Sequence, residues 1–470
     1  MSRLRWKERV QGSALLQRGF ALSSSLVARA RLLRGRPFAA LQRLMHAWKH
    51  LGDARLGPRR VAWIERLIAA GTRDGARDGT VLRPIARNDL RREFVASAGA
   101  RALRAKFAAF PPADRVRLRY PRPDPDPERQ GDLMVLKAPD FGPDGTVREP
   151  GVLLVMYHEA IEAFAACFDL PALAPAWQLV LETSTWGTRE WRFLPYLGAD
   201  LDVVVMAPRE DDFAFLAGWG TNLVPLRVGS ADWVDPAVFE PKPAGEPYAH
   251  DVIMVASWDP LKRHTTLLDA LAAARAKGRR LDTLLVGVPA VLTADDIARE
   301  VAARGLGDQV TIREKLPHAE VARLTARSRC AVLLSKQEGS SRILGEALLS
   351  GTPVVVTAGQ VGIDRSHVNP RTGAFATDQA LADVLVDVVD HPDRFDPAGY
   401  AREAIGYANA TRKVNDACRA LALRRGRPWT RDVVAKRNAP NLRYVTPGLH
   451  ASFDAAFTSL AAALLPVDAR

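Results

Sequence analysis

The chain has 470 residues, of which 47% are hydrophobic and 25% charged, a balance that excludes disordered and collagen-like chains. We find no secretory leader and no run of roughly eighteen apolar residues, so we expect neither an exported nor an integral membrane protein. The three cysteines are widely spaced and form neither a metal-binding pair nor a disulfide framework, which suits the reducing cytoplasm.

The net charge of +13 is concentrated at the N-terminal end of the chain. Residues 1–120 contain 27 lysines and arginines against 8 acidic residues, whereas the remainder is mildly acidic. Within the first fifty residues, Glu8 is the one acidic residue beside eleven bases. The positive electrostatic potential of such a segment attracts polyanions such as anionic lipid surfaces, nucleic acids and acidic glycans.

Residues 1–120 are predicted to be helical, because apolar residues recur at near-helical spacing over 15–33 and 38–51. In the second stretch, one side of the helix carries Phe38, Leu41, Leu44, Met45 and Trp48. Three interpretations follow: an amphipathic helix on anionic lipid, a helix docked on the protein body with a solvated basic face, or an organelle transit peptide. Aromatic residues are no denser here than elsewhere, which favours lipid over nucleic acid as the partner.

The rest of the chain reads as two α/β domains. Short, continuous apolar runs are typical of strands buried on both faces of a parallel sheet, and helical segments lie between several of them. This alternation predicts two tandem doubly wound, Rossmann-like domains. The runs are 133–136, 152–156, 179–181, 203–206, 223–226, 252–256, 284–288, 310–312, 331–334 and 354–357.

Proline-rich stretches set the predicted domain limits. The alternating prolines of 121–127 indicate a linker, and four prolines in 235–247 indicate a second connection. The predicted segments are a basic helical extension at 1–120, a linker at 121–130, an acceptor domain at 131–240, a donor-binding domain at 241–410, and a C-terminal helical segment at 411–470 that packs back on the body.

A strand–loop–helix unit at 333–356 carries the most informative residues. Ser340 or Ser341 is expected to cap a helix that ends near Ser350. Free amides at such a helix start bind anions, and a diphosphate fits there. Glu338 precedes the helix and Glu346 lies inside it, so the two carboxylates flank the anion site. Each could accept hydrogen bonds from sugar hydroxyls; the alternative is a solvated helix with two surface glutamates.

These residues resemble a known family. Glu338-Gly339, then Glu346-Ala347, then Gly351-Thr-Pro-Val-Val resemble the Glu-x7-Glu signature of retaining, nucleotide-sugar-dependent glycosyltransferases with the GT-B fold, of the group-1 or family-4 type. The resemblance implies that Glu338 is the catalytic carboxylate that orients the transferred sugar and that Glu346 holds the nucleotide ribose. It also implies that neither a metal nor another cofactor is needed.

A second match lies upstream, at 255–271. It is similar to the family's strand–loop–helix in which an arginine and a lysine neutralise the donor diphosphate. Lys262 falls on the lysine position, and Ser257 stands where the arginine is usual. Arg263 or Arg342 would then supply the missing charge. Without the resemblance, Lys262 is an exposed loop lysine.

The stretch 310–321 resembles the family's segment that lines the nucleobase, with Glu314 where a glycine is usual. Gly339 would let the backbone approach the donor closely. The donor-binding residues that the resemblance implies are Lys262, Ser257, Arg263, Lys315, Leu316, Gly339, Ser340, Ser341, Arg342, Ile343, Leu344 and Glu346.

The first domain resembles the family only weakly, and the usual Gly-Gly loop is missing. The family carries a histidine near the transferred sugar, and His158, at a strand end, is the candidate for this catalytic role. A buried structural histidine is the alternative. The segment 182–188 also ends a strand and could line the acceptor side.

The sequence therefore predicts a hexosyl-type glycosyltransferase that acts with retention on an acceptor, either a lipid-linked glycan or a polysaccharide. We expect a cytoplasmic protein that associates peripherally with anionic membrane through residues 1–120. The first alternative is a GT-B-like protein with a degenerate donor site, acting as a membrane- or nucleic-acid-binding module. A nucleotide-sugar epimerase is a further alternative that matches the motifs less well.

Overall fold

The computed structural model of the protein describes residues 14–72, 85–86, 88–120, 131–183 and 187–467. The chain forms two compact units. The first consists of Met1–Arg227, Asn415–Val434 and Thr446–Arg470. The second consists of Val228–Val414 and Ala435–Val445. The linker predicted at 121–130 lies outside the described residues.

In the described part of the chain, six helices precede the first sheet, so the predicted helical extension is confirmed. Gly52, with φ of +70°, breaks the second of them. None of the helices in the described part of the chain combines the length and the apolar character that a bilayer span requires. The six are α1 (Ala14–Leu33), α2 (Pro37–Leu56), α3 (Pro58–Gly71), α4 (Asp89–Val95), α5 (Ala98–Ala108) and α6 (Pro112–Val116).

Helix α2 corrects the expectation of a lipid-facing helix at 38–51. Phe38, Leu41 and Trp48 are each at most 3% exposed. The Phe38 ring lies 5.9 Å from that of Trp191, and the Trp48 ring lies 5.0 Å from that of Phe215. The apolar side is thus covered by the first unit's own side chains, as in the docked-helix interpretation.

The first unit contains a five-stranded sheet in the order β1-β4-β5-β6-β7. Strands β4 to β7 are parallel and follow one another in chain order, while β1 pairs antiparallel with β4. The direction of winding therefore does not reverse among these parallel strands. The five strands are β1 (Leu133–Lys137), β4 (Gly151–Met156), β5 (Trp177–Glu182), β6 (Val203–Met206) and β7 (Leu223–Leu226), and a hairpin of β2 (Asp140–Phe141) and β3 (Val147–Glu149) precedes β4.

Later parts of the chain return to this sheet. Gln178 on β5 donates a hydrogen bond to the Cys418 carbonyl, 3.1 Å away, and Leu465 donates to the Cys167 carbonyl at 2.7 Å. Both contacts lie inside the first unit. The helices of the unit beyond the extension are α7 (His158–Cys167), α8 (Leu170–Leu173), α9 (Glu210–Trp219), the second part of α16 (Tyr407–Arg424) and α17 (Asp454–Ala461).

The second unit contains a six-stranded, wholly parallel sheet in the order β10-β9-β8-β11-β12-β13. The direction of winding reverses between β8 and β11, which is the doubly wound arrangement. The strands are β8 (His250–Val255), β9 (Thr283–Gly287), β10 (Val310–Glu314), β11 (Ser328–Leu333), β12 (Val354–Thr357) and β13 (Gly373–Ala376). The main helices are α10 (His264–Ala276), α11 (Ala294–Ala303), α12 (His318–Ala326), α13 (Arg342–Leu349), α14 (Leu381–Asp390) and α15 (Pro397–Ala404), and a short pair β14 (Lys436–Arg437) and β15 (Arg443–Tyr444) follows later.

Side chains of this sheet alternate between two cores, because successive residues of a strand point to opposite faces. Val252 and Met254 pack with α10 and α14, whereas Ile253 between them packs with α12 and α13. Both faces are apolar, which is why the strands appear as continuous apolar runs in the sequence. The α/β prediction with a parallel sheet is confirmed.

Helix α13 lies unusually close to the backbone of the turn Ser230–Asp232. A Cβ built on Gly345 would lie 2.6 Å from the Ala231 carbonyl oxygen and 3.1 Å from a methyl of Val234. A backbone oxygen cannot swing aside as a flexible side chain can. Position 345 therefore requires glycine for packing, although it lies within a helix.

We expect Gly345→Ala to destabilise the second unit by about 1–3 kcal/mol, because the added methyl overpacks this contact. The matched control is Gly218→Ala in α9, where a Cβ meets nothing within 4 Å. There the helix propensity of alanine should leave stability unchanged or raise it by about 0.5–1 kcal/mol. Thermal unfolding measures both, and equal melting temperatures would contradict the packing argument.

Candidate functional site

Two loops at the carboxyl edge of the second unit's sheet form the candidate site. One follows β8 and the other follows β11, the two strands between which the winding direction reverses. In open α/β sheets, ligands bind at this reversal. Lys262 in the first loop and Glu338 in the second meet there, with Nζ 2.5 Å from Oε1. Their side chains are 28% and 14% exposed, so both remain accessible.

The Glu338 loop is held by side-chain and backbone contacts. The Ser335 hydroxyl donates to Oε1 of Glu338 at 2.6 Å, and the Glu338 amide donates to the Val361 carbonyl at 2.8 Å. Gly362, with φ of +120°, brings the chain so near that a Cβ would lie 1.5 Å from the Glu338 carbonyl oxygen. Sequence reasoning missed Gly362, because the contact joins residues 24 positions apart.

The Lys262 loop is a short turn of 3-10 helix at Pro260–Lys262. The Asp259 carboxylate caps it by accepting from the Leu261 amide at 2.8 Å. Arg263 then adopts a left-handed conformation, with φ of +62°, and helix α10 begins at the next residue. The 3-10 turn and the left-handed conformation of Arg263 together fix the backbone position from which the Lys262 side chain extends.

The two arginines proposed to replace the missing arginine at position 257 have different surroundings. Arg263 donates to the Leu334 carbonyl at 3.1 Å and to the Asp378 carboxylate at 2.5 Å, so its guanidinium lies beside the end of β11. Arg342 donates to the Asn438 carbonyl at 3.1 Å. Of the two, Arg263 is held at the strand ends where the site lies.

The start of α13 differs from the expected serine cap. Ser341 occupies the N-cap position, but its side chain makes no capping hydrogen bond. The Ser340 hydroxyl instead accepts from the Ala231 amide at 2.8 Å. Gly339 and Ser340 are partly buried. The first turn consists of Arg342, Ile343 and Leu344. The side chains of Ile343 and Leu344 pack in the apolar core, so a ligand could reach only the backbone amides of these two residues.

Glu346 lies one turn inside α13. Burial raises the pKa of its carboxyl to about 7, although the nearby Arg342 opposes the shift. Among the residues that the structure describes, none donates a hydrogen bond to this carboxyl. Glu346 is therefore partly protonated near neutral pH, and a group that donates hydrogen bonds to it would favour ionisation.

The segment after β10 has a partner that the sequence did not reveal. The indole Nε1 of Trp258, a fully buried residue of the Lys262 loop, donates to the Glu314 carboxylate at 3.1 Å. Lys315 follows with φ of +55°, and its amide donates to the Gly287 carbonyl at 3.0 Å. Leu316 packs against the apolar core. The proposed nucleobase segment and the Lys262 loop are thus tied together through Trp258.

His264 is the second residue that sequence reasoning missed. It follows the Lys262 loop directly, is 3% exposed, and has no hydrogen-bond partner on either ring nitrogen among the described residues. Its ring lies 5.1 Å from that of Trp258. Burial and the charge of Lys262 lower its pKa to about 4. The residue is therefore a neutral packing group beneath the site.

His158, in the first unit, is fully buried, and its Nε2 lies 2.9 Å from the Gly187 carbonyl oxygen. Burial lowers the pKa of this imidazole. A ring with no exposed surface cannot touch a sugar in this conformation. This placement fits the structural alternative, and the catalytic assignment stays a prediction. Residues 184–186, proposed to line the acceptor side, lie outside the described residues.

Comparison with protein families matches residues 249–391 to the family described as glycosyl transferases group 1. The matched residues contain Lys262, Glu338 and Glu346, so the family match and the geometry of the strand reversal fall on the same part of the chain. Comparison with curated protein sequences gives no match.

Solved structures similar to this chain include three transferases or transferase domains. The pneumococcal O-GlcNAc transferase GtfA in complex with UDP and GlcNAc is 13% identical, covers 54% of each chain and has a TM-score of 0.42. Anabaena HepE in complex with UDP is 16% identical over 57% of this chain and 78% of that one, with a TM-score of 0.44. The C-terminal domain of a group 1 glycosyl transferase from Francisella tularensis is 19% identical over 36% and 95%, with a TM-score of 0.32. This chain thus spans about half the length of GtfA.

We expect the buried His264 to make the second unit sensitive to acid. Its folded pKa lies below the unfolded value, so its contribution to stability is complete above pH 6.5 and is lost as the pH falls towards 4. The loss should reach about 3 kcal/mol. Melting curves of His264→Phe should therefore depend less on pH over this range. The exposed His318 offers the control, since His318→Phe should keep the wild-type slope.

Proposed function

We propose that this protein is a glycosyltransferase that moves a sugar from a nucleotide-diphosphate sugar to a glycan acceptor, with retention of anomeric configuration and a GT-B arrangement. The observation that carries the proposal is the Lys262–Glu338 contact at the strand reversal, within the stretch that matches the group 1 family. An ammonium and a carboxylate suit the two ends of such a donor, the diphosphate and the sugar hydroxyls.

The donor diphosphate would bind between Lys262 and the first turn of α13, whose amides point at an anion. Lys262, with its pre-formed position, would stabilise the leaving diphosphate in place of a metal. Arg263 would add charge if its pairing with Asp378 gave way. Glu346 would accept hydrogen bonds from the ribose hydroxyls, and backbone groups near Lys315 would contact the base.

In the transfer itself, the bond between the anomeric carbon and the diphosphate oxygen breaks, and the acceptor oxygen bonds to that carbon. The acceptor proton passes to the leaving diphosphate on the same face, as the family resemblance implies. Glu338 would hold the sugar hydroxyls and balance the positive charge that develops at the anomeric carbon. A sugar donating hydrogen bonds to Glu338 must compete with Lys262 and Ser335 for the same carboxylate.

We further propose a hexosyl donor, an acceptor that is a lipid-linked glycan or a polysaccharide, and peripheral association with the cytoplasmic face of an anionic membrane. The support is the excess of 27 bases over 8 acids in residues 1–120. Since the apolar side of α2 is buried, any contact with lipid must use another part of this region.

The pKa of Glu346 provides a test of the ribose contact. Hydrogen bonds donated by the ribose hydroxyls favour the ionised form of Glu346. The affinity for the donor should therefore rise by about tenfold between pH 6 and pH 8. Calorimetry with the nucleotide sugar that gives the largest thermal shift measures this, since its esterified diphosphate does not titrate in the range. Glu346→Gln should bind with little pH dependence, and Glu300→Gln on α11 should behave as wild type. A wild-type affinity that is flat across this range contradicts the assignment.

Glu338→Gln should lower turnover by about 100-fold or more while changing donor affinity little, because the amide keeps the shape and loses the charge needed in the transition state. Lys262→Ala should instead weaken donor binding, whereas Lys277→Ala at the far end of α10 should not. Rates of transfer or donor hydrolysis, with calorimetric affinities, separate the two effects. Full turnover in Glu338→Gln would show that the carboxylate is not catalytic. Donor binding by wild type without any turnover would favour the non-catalytic alternative.

A further inference from the structure

Helix α1 presents a stripe of four leucines to the outside. Leu15, Leu22, Leu26 and Leu33 are 80%, 53%, 57% and 59% exposed. Their spacing of seven, four and seven residues places them on one stripe of the helix, because each interval is close to a whole number of turns. The stripe runs almost the full length of Ala14–Leu33.

The opposite side of α1 is covered by the protein, and apart from Leu32 near the end of the helix the residues buried there are small or polar. Gln17, Ala21, Ser24 and Ala28 are all less than 9% exposed. A helix that merely docks on a body buries its larger apolar residues and exposes polar ones, as α2 does. In α1, by contrast, four leucines stay on the outside, so the leucine stripe is suited to a contact outside the first unit.

A cavity of about 620 Å³ adjoins this stripe, between α1 and α3. Leu22 and Leu26 form part of its wall, and its charged lining consists of arginines alone, with no aspartate or glutamate. Trp63 also lines it, with the Arg29 guanidinium 5.7 Å from the ring. The four arginines are Arg29, Arg59, Arg60 and Arg66.

Arg60 is held in place by the protein. Nε of Arg60 donates to the Ser25 hydroxyl at 2.9 Å, and one of its terminal nitrogens donates to the Leu56 carbonyl at 3.1 Å. Arg29 and Arg59 are exposed. The cavity therefore combines a positioned cation with exposed ones beside an apolar wall.

We propose that the outer face of α1 and this arginine-lined cavity bind an anionic membrane surface, with lipid phosphates at Arg29, Arg59 and Arg60 and the leucine stripe in the acyl-chain boundary. The proposal rests on the peripheral association proposed above and gives it a site; it needs no donor and no catalysis. Basic residues beside an apolar stripe are the arrangement of helices that lie in the plane of a lipid interface.

The charge pattern favours lipid over the other occupants. Arginine forks match phosphate oxygens, and each base near an anionic surface adds to the attraction. A nucleic acid would use the arginines but not four aligned leucines. A second copy of the chain would bring the same arginines to the contact and repel them, since a two-fold interface pairs like with like.

Co-sedimentation of the full chain with vesicles tests the proposal. Phosphatidylcholine vesicles with about 30% phosphatidylglycerol should retain the protein at about 0.15 M salt, and pure phosphatidylcholine should not. Arg29→Glu with Arg59→Glu should weaken binding by about tenfold or more, and lysine at both positions should restore most of it. Leu22→Ser with Leu26→Ser should weaken binding to a similar extent without lowering the melting temperature, since these side chains contribute little to the core.

Matched controls lie elsewhere on the first unit. Arg101→Glu on α5 and Leu423→Ser on α16, both at exposed positions, should leave vesicle binding unchanged. Equal losses in the controls, or binding that ignores anionic lipid, would overturn the proposal. So would binding to duplex DNA in place of vesicles, which assigns the arginines to nucleic acid. A dimer that the leucine variants dissociate would also overturn it, because the stripe would then be a contact between copies.

The vesicle assay is independent of the proposed enzyme. A protein that sediments with anionic vesicles but neither binds nor turns over a nucleotide sugar would retain this site and lose the glycosyltransferase proposal. A protein that transfers sugar to a soluble acceptor and ignores vesicles would lose only the membrane site.

Discussion

The contact between Lys262 and Glu338 is the interaction on which the candidate site depends. It joins the loops that follow β8 and β11, the strands between which the winding of the second unit reverses. A parallel sheet leaves both loops at the same edge, and opposite charges bring their side chains together. Two oppositely charged groups at one edge can hold a molecule that carries both a strong anion and several hydroxyls.

Much of this architecture could be predicted from the sequence, because strands buried on both faces leave continuous apolar runs. The runs at 252–256 and 331–334 mark the strands before the two loops. Lys262 and Glu338 could be singled out by their resemblance to a known pattern. Their direct contact could not, since it depends on the order of strands in the sheet rather than on sequence spacing.

The helices α1 and α2 show a different limit of sequence analysis. Both sequences contain apolar residues interspersed with arginines. The spacing of the apolar residues predicts that one side of each helix is apolar, but it does not predict what packs against that side. In α2 the protein covers that side, with Trp48 packed against Phe215, whereas in α1 four leucines face outward. His264, buried and without a hydrogen-bond partner among the described residues, likewise has no recognisable sequence pattern, because burial is a property of the whole fold.

The pairing of the Glu338 loop with Val361 has a consequence for how this site can change. The Glu338 amide is hydrogen-bonded to the Val361 carbonyl, and Gly362 allows the two segments of backbone to approach within contact distance. The number of residues between the end of β12 and Gly362 therefore sets the position of the Glu338 carboxylate. Substitutions can alter which groups face the site, but an insertion or deletion in that interval would shift Glu338 relative to Lys262 without replacing either residue.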